Sequence, residues 1–263
     1  MYLLLFAFFA LGTILGSFIN ALVFRFNTGR GVGGRSRCMH CGHQLTALDL
    51  IPILSFLFLR GKCRYCGAKI SIQYPLVELV AGALALLVYL RHPELSAFSF
   101  QLSVWMTLLF VVVYDIRHGI IPWSVSGLLA ALALVYIGFS FLGYLDFVSP
   151  NILTKSLTWS LLAGPILAAP LFFFSLVSRG TWMGWGDSAL ELSLGWLLGL
   201  TVGATALVLA FWSGAAVGIA LILFKRGYKM KSELPFAPFL VLGALAAHFF
   251  HVDFFATLPL LFL

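Results

Sequence analysis

Two aspartates stand out in this chain of 263 residues, which has only nine acidic side chains: Asp115 in Tyr114-Asp115-Ile116-Arg117 and Asp187 in Gly184-Trp185-Gly186-Asp187. Each closes or opens a long apolar run. An ionisable group at membrane depth is costly and is a functional candidate by default. Two such carboxylates on one helical bundle could share a proton and activate water. A second constellation lies upstream, where Cys38-Met39-His40-Cys41 and Cys63-Arg64-Tyr65-Cys66 form two C-x-x-C knuckles holding all four cysteines. The spacing approaches that of a tetrathiolate zinc site, and a glycine (Gly42, Gly67) follows each knuckle, as a tight turn around a metal favours. Four thiolates close the coordination shell, so such a zinc is structural, and His40 and His43 read as exposed loop residues. Two disulfides are the competing reading, opposed by a location on the reducing side of the membrane.

The elements that must position these groups are membrane helices. The chain is 62% hydrophobic and 10% charged, which excludes an ordinary soluble domain. Apolar runs at 2–24, 74–90, 98–114, 122–143, 157–178, 188–201, 203–224 and 237–262 predict about eight transmembrane helices, the sixth short and nearly fused to the seventh. No basic stretch precedes the first run, so it is expected to be a retained helix and not a cleaved signal. The expected fold is therefore an all-α polytopic membrane protein with a small zinc-binding loop domain. The expected divisions are a first transmembrane helix at 1–24, the loop domain at 25–73 and a multi-helix transmembrane domain at 74–263.

The net charge of +7 is a matter of topology and predicts no nucleic-acid partner. Eight of the sixteen Lys and Arg lie between residues 25 and 69, and six more (Arg117, Arg179, Lys225, Arg226, Lys229, Lys231) occupy alternate loops. Only Arg91 and Lys155 remain for the other side. This asymmetry places the loop domain, Asp115 and Asp187 at the cytoplasmic face and both chain ends outside. The short loop at 144–156, with Pro150 and Asn151, is then external. Small residues recur every four positions (Gly12/Gly16, Gly195/Gly199/Gly203, Gly214/Gly218), a spacing that lets helices approach closely in lipid. Pro165 and Pro170 predict a kink in the fifth span.

Several further segments carry a resemblance. Gly16-Ser17-Phe18-Ile19-Asn20 followed by Arg25, Asp49-Leu50-Ile51-Pro52-Ile53-Leu54-Ser55, Arg60-Gly61-Lys62-Cys63, Tyr74-Pro75-Leu76-Val77-Glu78 and Leu234-Pro235-Phe236-Ala237-Pro238-Phe239-Leu240 occur in order around the knuckles and the two aspartates. In this order the chain resembles the type IV prepilin peptidases, the G-x-G-D class of membrane aspartyl proteases. The resemblance implies a multi-pass enzyme of the bacterial inner membrane. Such an enzyme removes the basic leader from type IV pilin-like or pseudopilin precursors on the cytoplasmic side, with Asp115 and Asp187 as the catalytic pair. It also implies N-methylation of the new terminus with S-adenosylmethionine, and a place in pilus assembly or protein secretion.

Three positions depart from the family pattern: Ala189 where lysine is usual, Met39 where proline is common, and Ala237 where glycine is usual. Glu191 lies one helical turn beyond Asp187 and could be a proton partner, although Ser188-Ala189-Leu190-Glu191 also reads as a capping box. Gly184 and Gly186 would let a substrate strand approach the backbone. Asn20 and Glu78 either orient the loop or a methyl donor, or make interhelical hydrogen bonds. The rival functions are a catalytically silent assembly scaffold and a proton-coupled transporter. The position of both aspartates at one membrane face, and not at the midplane, weighs against the transporter.

Overall fold

The computed structural model describes residues 2–28, 34–142, 157–181, 183–224 and 234–255. It is all-helical apart from two isolated bridges: α1 (Tyr2–Arg25), α2 (Leu54–Phe58), α3 (Gln73–Arg91), α4 (Leu95–His118), α5 (Trp123–Phe141), α6 (Leu157–Val177), α7 (Trp185–Leu198), α8 (Leu200–Phe224) and α9 (Ala237–Phe250). A single 3₁₀ turn, Ala47–Leu50, precedes α2.

Among the described residues six helices (α1, α3, α4, α5, α6 and α8) are long and apolar enough to cross a membrane. The runs expected at 188–201 and 237–262 are shorter: α7 and α9 have 14 residues each. At ~1.5 Å per residue each extends roughly 21 Å, short of a ~30 Å hydrocarbon core. Gly199, at φ 76°, separates α7 from α8, since a left-handed position there interrupts the helix at little cost. α6 runs unbroken through Pro165 and Pro170. The loop expected at 144–156 and the cations Lys155, Lys225, Arg226, Lys229 and Lys231 lie outside the described residues.

Packing divides the chain into two units, Met1–Val113 and Tyr114–Leu263, with the boundary inside α4. In the first, α1 and α3 run against each other. The small-residue spacing works as predicted: a Cβ on Gly12 would collide with the Ala81 carbonyl, and one on Gly16 would lie 2.8 Å from Ala81 Cβ. Phe8 stacks on Tyr89 at 3.9 Å, and Asn20 Nδ2 donates to the Tyr74 carbonyl at 3.1 Å, an interhelical bond.

In the second unit α7 packs against α5, α6, α8 and α9. Its buried set includes Asp187, Ser188, Glu191 and Ser193 beside four leucines and Gly195. Gly195 lets α7 close on Gly164 of α6, with a hypothetical Cβ 2.8 Å from Gly164 Cα. A short helix enclosed on several sides can hold polar groups away from lipid. Gly214 and Gly218, by contrast, have only ordinary van der Waals neighbours.

Candidate active site and metal centre

The cysteine segment is built from two knuckles of the same design. Cys38 N–H donates to the His43 carbonyl and Gly42 N–H to the Cys38 carbonyl, both at 2.9 Å. Cys63 N–H donates to Ala68 at 2.8 Å and Gly67 N–H to Cys63 at 3.0 Å. Gly42 and Gly67 both sit at φ 71°, the left-handed turn that glycine adopts without strain. The bridges Arg37–Gln44 and Lys62–Lys69 close the bases of the knuckles.

The four sulfur atoms lie within 4.8 Å of one another, and the cysteines are not paired in disulfides. Backbone N–H groups of Cys41 and His40 bring the Cys38 thiol down to about 6. The Ala68 N–H lowers Cys66, but burial and the thiols of Cys63, Cys41 and Cys38 outweigh it and push Cys66 up to about 12. Four thiols this close cannot all ionise unaided, and a metal cation removes that conflict. The cluster could bind a metal. His40 and His43 are exposed, and the His43 ring lies tilted against Tyr65 with centroids 3.6 Å apart.

Asp49 ties the intervening turn to the second knuckle, a role that sequence reasoning missed. Its Oδ2 accepts from Thr46 Oγ1 (2.7 Å), Thr46 N (3.0 Å) and Tyr65 Oη (3.2 Å), and its Oδ1 accepts from Arg64 Nε at 2.7 Å. Covering the carboxyl would raise it, but the Thr46 bonds and the Arg64 guanidinium win and hold it at about 2. Glu78, from α3, accepts the Ile53 N–H at 2.7 Å and also bonds the Ser17 hydroxyl of α1, so it contacts both the loop and the neighbouring helix.

The aspartates are held by helix ends. Asp115 is 5% exposed in the last turn of α4, where its carbonyl accepts the N–H of Gly119. Its carboxylate accepts the N–H of Ala237, the first residue of α9, and Oδ2 is buried without a partner. Asp187, 9% exposed, lies in the first turn of α7 and accepts the Gly184 N–H at 3.1 Å through Oδ2. Each carboxylate thus engages an N–H at the start of a helix, where donors are unspent and the dipole favours negative charge. The two are near enough for their charges to repel. Ala237, one of the departures from the family pattern, meets Asp115 through its backbone, so the departure from glycine leaves the donor intact.

One expectation is corrected. Ser188–Glu191 is not a capping box. α7 begins earlier, at Trp185 with Gly184 in extended conformation (φ −70°, ψ 147°), so Ser188 is its fourth residue and donates to the Trp185 carbonyl at 2.9 Å. The start is set by Ser175 of α6, whose hydroxyl donates to the Met183 and Gly184 carbonyls at 3.1 and 3.3 Å. Ser175 is fully buried. Its only signal in the sequence is a lone hydroxyl in an apolar run. Glu191 is 1% exposed, with Oε1 unpartnered. Gly186 also has an internal reason to be small: a Cβ there would sit 2.7 Å from Ile121 Cβ, so its size lets α7 meet the turn before α5.

Comparison with known proteins gives these features a family. Residues 10–92 match the Bacterial Peptidase A24 N-terminal domain. A prepilin leader peptidase/N-methyltransferase of Bacillus subtilis is 34% identical over 92% of this chain and 92% of its own length. The chain belongs to that family. A Burkholderia pseudomallei member is 30% identical over 94% of this chain and 86% of its own, and one from Dichelobacter nodosus 33% over 79% and 68%. No solved structure matches. Family membership and six apolar helices make this a multi-pass membrane protein.

Proposed function

We propose that this protein is a membrane aspartyl endopeptidase that removes the leader peptide from type IV pilin-like or pseudopilin precursors, and that it N-methylates the new terminus. The observation that carries the reading is a pair of buried aspartates, Asp115 and Asp187, each bonded to an N–H at the start of a helix. Burial and like charge both oppose ionising the two together, so in the proposed mechanism one carboxyl keeps a proton that the other has lost. The ionised member takes a proton from water. The protonated member donates a hydrogen bond to the scissile carbonyl as the water oxygen adds to its carbon. Collapse of the tetrahedral intermediate passes a proton to the leaving nitrogen and frees the leader.

Cys38, Cys41, Cys63 and Cys66 would hold zinc as thiolates, supplying a closed structural shell for the 25–73 domain and no open position for water. The domain at 74–263 carries the peptidase. The charge asymmetry supports an inner-membrane enzyme with its zinc loop and aspartates on the cytoplasmic side. Methylation, with S-adenosylmethionine as donor, is supported by the name its relatives bear.

The test is mass spectrometry of a pilin-like precursor incubated with the purified protein and S-adenosylmethionine, beside Asp187→Asn. Loss of the leader with the wild type alone, with one added methyl on the mature product, is expected. A precursor that the folded wild type leaves intact would favour the silent scaffold.

A further inference from the structure

Between the knuckles the chain exposes more apolar surface than a solvated loop needs. Leu48, Leu50, Ile51, Leu54, Leu57 and Phe58 are all 40% exposed or more, and Phe58 reaches 82%. Apolar surface concentrated in this way marks a contact.

The segment is also tied to membrane depth. Ile53 N–H donates to Glu78 Oε2 at 2.7 Å, and the Ser17 hydroxyl bonds the same carboxylate. Glu78 lies five residues into α3, hence ~8 Å along the helix from Gln73. Ser17 lies eight residues before Arg25, hence ~12 Å from the end of α1. Both helices are of membrane-crossing length and hydropathy. The elbow at Ile53 therefore descends beside them, below their ends, by a distance like the ~5–10 Å to which interfacial segments sink into the headgroup–acyl boundary. Ile53 sits at φ 61°, an unfavourable position for a β-branched residue, so the Glu78 bond holds a turn that the chain would not adopt unaided.

The charge around the segment suits anionic lipid. Residues 34–72 carry Arg35, Arg37, Arg60, Lys62, Arg64 and Lys69 against the single acid Asp49, which is already paired with Arg64. Immediately after Phe58 a turn with Arg60 at φ 50° and Gly61 at φ 67° leads from apolar residues to basic ones. Basic side chains near a membrane surface are drawn to anionic headgroups.

We propose that Leu48–Phe58 is an interfacial anchor, seated in the surface of an anionic phospholipid layer with Arg60 and Lys62 among the headgroups. It fixes the height of the cysteine knuckles above the membrane. The proposal stands apart from the catalytic reading, since it uses neither aspartate.

The experiment uses the full-length protein in nanodiscs of phosphatidylglycerol and phosphatidylcholine. A trifluoromethylphenylalanine is placed at Phe58, at Leu57 or at Met39, the last an exposed residue of the first knuckle. Fluorine line broadening is read with a lipid spin-labelled high on its acyl chain and, separately, with an aqueous gadolinium chelate. The lipid label is expected to broaden positions 57 and 58 severalfold more than 39, and the chelate to rank them in reverse. The chelate acting most strongly at 57 and 58 would overturn the proposal. So would neither reagent reaching them, because protein would then cover the segment. Equal lipid broadening in discs of phosphatidylcholine alone would overturn the role given to the basic residues.

Discussion

In the cysteine segment, four sulfurs are gathered by turns that close on their own backbone within six residues, from Cys38 to His43 and from Cys63 to Ala68. At the aspartates a local bond, from Gly184 N–H to Asp187, is joined by contacts from far along the chain. Asp115 depends on an N–H that follows it by more than a hundred residues, and the turn before Asp187 is held by a serine on another helix. The first arrangement leaves a thiol cluster that could bind a metal. The second buries carboxylates and offers each a helix-end donor. On the proposed reading, a metal-bound loop and a carboxylate site are supported by different contacts and should be separately breakable.

The largest effect should come from Asp115→Asn. Asparagine keeps the shape and can still accept the Ala237 N–H, so the helix ends stay in place while proton transfer is lost. Cleavage should fall by ~10²- to 10⁴-fold or more, with the protein still in the membrane. Cleavage at near wild-type rate, measured by mass spectrometry, would remove Asp115 from the chemistry.

Breaking the other region should leave part of that activity. A Cys38→Ser/Cys63→Ser double variant is expected to lose its zinc and to become sensitive to proteolysis between residues 34 and 72, while some cleavage of precursor survives. Full zinc content by elemental analysis would end the metal assignment. Complete loss of cleavage in a protein with intact membrane helices would show that the two regions are not separable.

The same contrast explains how much could be read from the chain. The knuckles were legible because both their spacing and their glycines are local signals, and Gly42 and Gly67 adopt the turn those signals predict. Six of the helices were legible from the length of their apolar runs. The start of α7 was not: serine and glutamate at the right spacing suggested a capping box, but Ser175 holds the carbonyls of Met183 and Gly184 and starts the helix at Trp185. The link from Ala237 to Asp115 was hidden for a related reason, since it is made by a backbone amide that nearly any residue type would supply. Asp49 is the converse case, a short-range network hidden because an aspartate beside a loop has many ordinary uses.

A smaller effect is expected where loop and membrane helix meet. Glu78→Leu leaves the Ile53 N–H without its acceptor and should destabilise the elbow by ~1–3 kcal/mol, the cost of an unsatisfied donor. Glu78→Gln, which keeps an acceptor oxygen, should cost less. Hydrogen exchange at the amides of residues 53–58 measures both. Equal protection in wild type and Glu78→Leu would mean that the strained turn at Ile53 is held by something else.

The smallest effect tests whether Asp49 belongs to the loop's own stability. Its carboxyl is held at about 2 in the fold against an ordinary 3.8. A depressed value in the folded state stabilises the fold above the ordinary value, and that contribution disappears as pH falls through the depressed one. Wild type should therefore exceed Asp49→Asn in protection of the Ala47–Leu50 turn above pH ~4, with the difference closing as pH falls toward ~2. Comparing the two proteins at each pH cancels the loss of metal from protonated cysteines, which both share. Arg64 is half exposed while the Asp49 side chain is covered, so Arg64→Met should narrow the difference without abolishing it. If Arg64→Met removed it entirely, the ion pair and not the Thr46 bonds would hold the turn, and the second knuckle would depend on a salt-sensitive surface contact.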